Sequence, residues 1–185
     1  MADELIKTIG YNAFSYADIS KQLNIKNAAI HYYFPAKSDL GIAVIRSNSE
    51  AFKERIGLWA TLDERQQYIN YITMHDSFVQ QHWTCIVGSL APAYDTLPEN
   101  MQKELHSLIN TILNWLTILL EKGKKNKIFH FKGNAKDQAN LTHSALLSSL
   151  QMNKVLRNDI YSSIQEKLLS LSLIHISEPT RLALI

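Results

Sequence analysis

The chain has 185 residues, 46% of them hydrophobic, and a formal net charge of +2. That length allows a protein with a substantial core. The few glycines and prolines, without strand-like alternation, predict an all-α fold. A single cysteine excludes an intramolecular disulfide framework and indicates a reducing compartment. The apolar run over 112–120 is far shorter than the roughly 20 residues of a membrane span. The opening MADELIK is acidic, unlike a signal leader. We therefore expect a soluble, cytoplasmic protein.

Residues 14–40, FSYADISKQLNIKNAAIHYYFPAKSDL, predict two short helices around a tight turn. Ser15 is a good N-cap, and Asp18 lies favourably in the first turn of a helix over about 16–23. Asn24 then suits the left-handed conformation that ends a helix. We expect the apolar side chains of this first half to face inward or to lie beneath the turn, and these are Ile19, Leu23 and Ile25.

The second predicted helix runs over about 27–34, with Asn27 as its cap and Pro35 closing it. Ile30 and Phe34 are four residues apart, so they share a face and should pack inward. This directs His31, Tyr32 and Tyr33 to the remaining faces, while Ala28 and Ala29 allow close approach to a duplex. The alternative is that these aromatic residues cap a small core. The combined pattern favours a helix-turn-helix that contacts DNA.

This stretch resembles the DNA-binding half of the tetracycline-repressor (TetR) family. The residues that carry the resemblance are Phe14-Ser15, Ile19 to Leu23, Ile25-Lys26, Ala28 to Phe34 and Pro35-Ala36-Lys37. The resemblance implies an N-terminal three-helix domain, a long connecting helix, and a helical domain for effector binding and dimerisation. It also implies a ligand-released homodimeric repressor of a palindromic operator rather than an enzyme, with no cofactor.

The expected DNA contacts fall into two groups. Base edges would be met from the start of the second helix, with His31 as the best hydrogen-bonding candidate and alanine methyl groups facing thymine. This group comprises Lys26, Asn27, Ala28, Ala29 and His31. Phosphates would be held by side chains and by one helix-start N–H group, which belong to Ser15, Tyr16 (N–H), Tyr32, Tyr33 and Lys37.

The charge of the first fifty residues qualifies this expectation. Five basic residues are balanced by five acidic ones, whereas a DNA-binding domain usually has a basic surface. Family members normally carry a longer first helix, often after a basic arm, but only residues 2–9 precede Gly10 here. We expect that residues upstream are missing. The alternative function is therefore a helical protein that binds a small molecule and dimerises but is impaired in DNA binding.

After residue 37 the sequence predicts one long connecting helix and then a helical domain. We divide the chain into 1–46 (DNA binding), 47–173 (effector binding and dimerisation) and 174–185, which we expect to be a non-native tail. Aromatic and polar residues of the middle part are candidates for an effector pocket. They are Tyr68, Tyr71, Met74, His75, Phe78, Trp83, Cys85, Trp115 and His143. Each of them alone could equally be core.

The last two helices are predicted over about 135–156 and 159–173. The resemblance implies that they pair with those of a second subunit through an apolar face, although they could also close a monomer core. The interface candidates are Leu146, Leu147, Leu150, Ile160, Ile164 and Leu168. The lysine run over 122–127 is read as a solvated helix end rather than a second nucleic-acid site.

No catalytic constellation or complete metal site is found in the sequence. We expect His82 and Cys85 to share a helical face that could hold a soft metal, but two ligands do not make a zinc site. Cys85 could also be an electrophile sensor, with its thiolate activated beside His82. The simpler interpretation is a buried, unreactive cysteine.

Overall fold

The computed structural model describes residues 1–170, and every regular element in that range is helical. The α-helices, numbered α1 to α10 in chain order, are Ala2–Ile9, Tyr16–Leu23, Asn27–Tyr33, Lys37–Trp59, Glu64–Thr73, Asp76–Gln80, Ile86–Leu90, Glu99–Lys125, Ala135–Leu156 and Ile160–Leu169. Short 3₁₀ turns span Tyr11–Ala13 and Ala91–Thr96. The all-α prediction is confirmed. The predicted tail over 174–185 lies outside the described residues.

The helix-turn-helix forms as the local signals predict. The carboxylate of Asp18 accepts hydrogen bonds from the N–H (2.7 Å) and the hydroxyl (2.8 Å) of Ser15, which fixes the start of α2. Asn24 ends that helix in the left-handed conformation, with φ 53° and ψ 43°. One detail of the prediction is wrong. Asn27 is the first residue of α3 and Lys26 holds the cap position, so the Asn27 side chain caps nothing.

The inner face of the motif is smaller than expected. Ile19 and Ile30 are buried, and Phe34 packs partly buried against the core. Leu23 and Ile25, however, are 47% and 45% exposed, so their predicted place beneath the turn is wrong. The main packing partners of α1 are α4 and α7.

Helix α4 joins the N-terminal helices to the rest of the molecule. The Asp39 carboxylate accepts the N–H of Ala36 at 2.9 Å and so anchors the start of the helix. Further along, α4 packs against α8. Gly41 permits this close crossing, because a Cβ there would lie 2.6 Å from the Cε atom of Met101. One rigid helix therefore extends from the helix-turn-helix into the helical domain.

The helical domain is built around α8, which packs against α4, α5 and α9. Helices α5 and α6 follow each other closely, with His75 at the break between them. Two buried tyrosines tie the last helix to α5 and its surroundings. The hydroxyl of Tyr68 donates to the carbonyl of Leu168 (3.2 Å), and that of Tyr161 donates to the carbonyl of Ile72 (3.1 Å). Among residues 1–170, no helix has the length and hydropathy needed to cross a membrane.

Candidate DNA-binding surface and interior cavity

The second helix of the motif presents its polar and aromatic residues to solvent. Ile30 is buried, whereas Tyr32 and Tyr33 are 81% and 74% exposed and pack edge to face with each other. The alternative that these rings cap a small core does not fit such exposure. The other candidates on this helix are also exposed, namely Asn27, Ala28, Ala29 and His31, as is Lys26 before it.

The Tyr16 side chain supports the C-terminal end of α3. Its hydroxyl lies 2.9 Å from the carbonyl oxygen of Phe34 and 2.7 Å from that of Ala36, just after α3 ends. Its ring packs edge-on against His31, with the centroids 4.7 Å apart. Burial raises the pKa of the Tyr16 hydroxyl, with a smaller contribution from Asp39. The side chain therefore positions α3, and the backbone N–H group of Tyr16 remains for the predicted contact with DNA.

Lys37 is directed inward. Its ammonium donates to the carbonyl of Phe14 and lies 4.3 Å from the ring centroid of Phe14 and 4.8 Å from that of Tyr11. Burial lowers the pKa of this lysine. The phosphate contact predicted for Lys37 would need these contacts to be exchanged for the duplex. The hydroxyl of Ser15 is likewise already bonded, to Asp18.

These residues nevertheless meet on one surface. A shallow depression of about 440 Å³ lies between the start of α2 and the exposed face of α3. The predicted DNA-contacting residues that line it are Ser15, Tyr16, Asn27, His31 and Lys37. The fold therefore assembles half of the predicted contact set into a continuous patch.

A cavity of about 60 Å³ lies in the helical domain, between α4, the α5–α6 junction, α7, α8 and α9. Five predicted pocket residues line it, namely Met74, His75, Phe78, Cys85 and His143. The sequence analysis missed the residues contributed by α4, α7 and α8, which are Asn48, Phe52, Arg55, Ile86, Val87, Leu108 and Ile112. The spacing of Asn48, Phe52 and Arg55 on one face of α4 was the available signal.

The remaining pocket candidates lie outside this cavity. Tyr68 is core and packs against Phe129, while Trp83 packs on the ring of Phe78 at 5.7 Å. Trp115 packs against Phe52 and lines a separate surface groove. The hydroxyl of Tyr71 lies 2.7 Å from Nδ1 of His143, behind the cavity wall. These four residues do not line this cavity, and their place in an effector pocket stays a prediction.

Two buried histidines give the cavity its polarity. Burial lowers the pKa of His75 to about 3, with smaller contributions from His143, Arg55 and Lys7. Burial also lowers the pKa of His143 to about 4. Both rings are therefore neutral at pH 7. Within the described residues, His75 Nδ1 and His143 Nε2 are buried without a hydrogen-bond partner, an arrangement that natural interiors rarely leave without a purpose.

Cys85 is not an activated thiol in this conformation. It is buried at the start of α7, and its Sγ accepts the N–H of Gly88 at 3.3 Å. Burial raises its pKa. His82 is exposed in a left-handed turn (φ 52°) before that helix, so the predicted shared helical face does not exist. Across residues 1–170, no group of three or more potential ligands could hold a metal ion.

The predicted dimer face is largely core. Leu146 and Leu150 are 1% and 2% exposed, and Leu168 is also buried, so a second chain cannot reach them. Leu147, Ile160 and Ile164 are half-buried. The outward face of α9 instead carries Leu141, Met152, Val155 and Leu156, which are 61%, 43%, 79% and 51% exposed. Both sides of α9 carry apolar residues at helical spacing, so the sequence alone did not separate its buried side from its exposed side, and the dimer interface stays a prediction.

The N-terminal helices are bonded to the cavity walls at several points. The N–H of Thr84, next to Cys85, donates to the carbonyl of Lys7 at 3.1 Å. The ammonium of Lys7 contacts Asp3 (2.7 Å) and Asn48 (3.0 Å), and Asn48 also lines the cavity. From α9, the ammonium of Lys154 donates to the carbonyl of Thr8. Helix α1 is therefore attached to α4, to the segment before α7, and to α9.

A larger open groove, of about 500 Å³, lies where α6 meets the turn between α9 and α10. Its lining is mostly polar or charged and includes Asp76, Asn153, Arg157 and Asp159. It contains none of the predicted pocket residues. The smaller cavity, with its apolar walls and unpaired ring nitrogens, has more of the character of a ligand site.

Comparison with known proteins agrees with this geometry. The family described as "Bacterial regulatory proteins, tetR family" matches residues 1–44. A TetR-family transcriptional regulator from Agrobacterium tumefaciens is similar in structure, with a TM-score of 0.83, 26% identity and 93% of each chain covered. A TetR transcriptional regulator from Legionella pneumophila also has a TM-score of 0.83, with 24% identity and 93% of each chain covered.

A more distant relative is the HTH-type transcriptional repressor NemR of Escherichia coli. It is 20% identical over 162 residues, which span 84% of this chain and 81% of that protein. The motif, its long connecting helix and the full-length structural likeness lead to one conclusion. Residues 1–44 match the TetR family of bacterial regulatory proteins, and the described residues have the fold of TetR-family regulators.

Proposed function

We propose that this protein is a cytoplasmic, homodimeric transcriptional repressor that a small molecule releases from a near-palindromic operator. The observation that carries the proposal is the exposed face of α3, which is held from behind by the Tyr16 hydroxyl. A helix of this kind, with small residues at its start and large polar residues after them, is suited to the major groove.

The contacts to DNA divide by position. Ala28, Ala29 and His31 face outward from α3 and would meet base edges. Tyr32 and Tyr33 lie further along the helix and would reach the backbone. Lys37 would join them only after leaving the carbonyl of Phe14.

Dimerisation would use the outward face of α9. Four large, exposed apolar side chains share this face, which is more than the surface of a monomer normally leaves together. A second copy packed on this face would place the two reading helices in successive major grooves, about 34–36 Å apart.

Release would act through helix α1 and helix α4. A ligand in the cavity touches Asn48 on α4 and the segment beside Thr84, and both are bonded to α1. Moving these walls changes the angle at which α3 is presented. The required coupling is modest, since allosteric couplings are typically about 1–3 kcal/mol.

The test is DNA binding measured by fluorescence anisotropy, with sites selected from a random DNA pool. We expect specific binding whose log K falls linearly with log salt. His31→Ala should lose discrimination at one base position, whereas the matched control His106→Ala, at an exposed site on α8, should bind as wild type. Absence of specific binding in the full-length protein would refute the proposal.

Two observations favour a second candidate function, a helical small-molecule-binding protein with impaired DNA binding. Residues 1–50 carry no net charge, and the Lys37 ammonium is turned inward. The same titration separates the two candidates, because the impaired protein would bind ligand but no DNA at any salt concentration. A cysteine-based sensor is disfavoured by the burial and raised pKa of Cys85.

A further inference from the structure

The interior cavity holds a hydrogen-bond donor whose identity follows from its neighbours. The hydroxyl of Tyr71 is fully buried, and its one recorded hydrogen bond in the described part of the chain is to Nδ1 of His143. If Nδ1 carried the ring proton, the Tyr71 hydroxyl proton would be buried without an acceptor, which costs about 1–3 kcal/mol. Tyr71 therefore donates, Nδ1 accepts, and the ring proton sits on Nε2. That N–H group is the one that lacks a partner.

A second ring nitrogen borders the same space. His75 is 9% exposed, lines the cavity, and has an unpartnered Nδ1. This neutral imidazole can donate or accept at Nδ1, according to its tautomer. Two unpartnered ring nitrogens, one from the α5–α6 junction and one from α9, therefore belong to side chains that line one small space.

The rest of the wall is apolar. It is formed by Phe52, Met74, Phe78, Ile86, Val87, Leu108 and Ile112. The volume of about 60 Å³ has room for about four to six water-sized groups. A compact hydrocarbon frame of four or five carbons fills such a space.

A ligand with a formal charge is disfavoured in this cavity. Both imidazoles are neutral, so neither can offset the free-energy cost of desolvating a buried carboxylate. The ammonium of Lys7 is already bonded to Asp3 and Asn48. Arg55 borders the cavity from an exposed position, where water screens its charge.

We propose that this cavity binds a compact, uncharged, mostly apolar molecule with a single oxygen function, a carbonyl or a hydroxyl, that accepts the Nε2–H of His143 and contacts His75. The binding is non-covalent. The inference rests on the proposed function only in taking the cavity as the effector site.

The test uses a four-carbon series with the unmodified full-length protein. Butanone, 2-butanol, butanoate and butylammonium are titrated separately while the histidine ring nitrogens are followed by long-range ¹H–¹⁵N NMR. We expect the free protein to show a protonated Nε2 and an unprotonated Nδ1 for His143. Butanone or 2-butanol should shift the His143 and His75 signals saturably. Tighter binding of butanone than of 2-butanol indicates that Nδ1 of His75 donates a hydrogen bond. The reverse order indicates that Nδ1 accepts one.

The variant Tyr71→Phe removes the group that fixes the ring of His143. We expect affinity for the neutral probes to fall about three- to tenfold and the His143 tautomer to become mixed. His106→Gln, at an exposed position on α8, is the matched control and should change neither. A purely packing role for Tyr71 would leave the tautomer as it is.

Three results would overturn the proposal. The first is that neither neutral probe moves the ring signals, which leaves water as the sole occupant. The second is that butanoate or butylammonium binds more tightly than the neutral probes. The third is that Nε2 of His143 is unprotonated in the free protein. DNA binding is followed in the same samples. A protein that binds DNA but no neutral probe refutes the ligand class alone. Saturable binding without DNA release refutes the release mechanism and leaves the ligand class standing.

Discussion

Acid should destabilise this protein through its two buried histidines. His75 and His143 have pKa values of about 3 and about 4 in the folded protein, against about 6.5 in an unfolded chain. The unfolded chain therefore binds more protons between about pH 4 and pH 6.5. Their stabilising contribution is present above pH 6.5 and is lost as the pH falls towards 4.

The magnitude follows from those values. At pH 5 an unfolded histidine is almost fully protonated while either buried ring is still neutral. Linkage then gives a loss of about 2 kcal/mol for each ring relative to neutral pH. The pair together loses about 4 kcal/mol, a large part of the roughly 5–15 kcal/mol that stabilises a typical domain.

The assay is urea unfolding at pH 7.5, 6 and 5, followed by circular dichroism. His143→Phe should remove about half of the histidine-dependent loss between pH 7.5 and pH 5, whatever its effect on stability at pH 7.5. The control His106→Gln changes an exposed ring and should keep the wild-type pH dependence. If wild type and His143→Phe lose the same free energy over this range, the assignment of His143 as a buried neutral group is refuted.

Three substitutions test other parts of the structure. Tyr16→Phe removes the hydroxyl bonded to the carbonyl of Phe34, so stability should fall by about 1 kcal/mol and operator affinity should fall with it; anisotropy that matches wild type would contradict the positioning role. Gly123→Ala places a Cβ against the ring of Phe129, and we expect calorimetry to show a net loss of about 1–3 kcal/mol despite the better helix propensity of alanine. Val155→Asp alters a side chain that is 79% exposed in the monomer, so monomer stability should change by less than about 0.5 kcal/mol. The dimer dissociation constant should rise at least about 100-fold in sedimentation equilibrium, and a dimer of wild-type strength would exclude the α9 face.

The sequence predicted those parts of the site that depend on neighbouring residues. The start of α2 at Ser15 and Asp18 and the left-handed Asn24 follow from short-range hydrogen bonding and backbone sterics. The four-residue spacing of Ile30 and Phe34 predicted the inward face of α3, and with it the exposure of the tyrosine pair. These predictions required no knowledge of which helices pack together.

Apart from the Asn27 cap and the helical face predicted for His82 and Cys85, the errors involve contacts between distant segments. Leu23 and Ile25 are exposed, and α1 packs mainly against α4 and α7. Lys37 is turned inward because the carbonyl of Phe14 and two aromatic rings lie within its reach. For α9, both sides carry apolar residues at helical spacing, and no local signal distinguishes the side that α8 and α10 cover from the side left open.

The sequence by itself determined that this protein is helical, that it carries a helix-turn-helix of the TetR type, and which face of α3 is exposed. The tertiary structure alone decided which pocket candidates line the cavity, that two neutral histidines there lack partners, and which face of α9 is open. The physical reason is range. Capping, turn conformation and helical periodicity act over about four residues, whereas burial and cavity lining depend on helices from distant parts of the chain that meet only in the folded molecule.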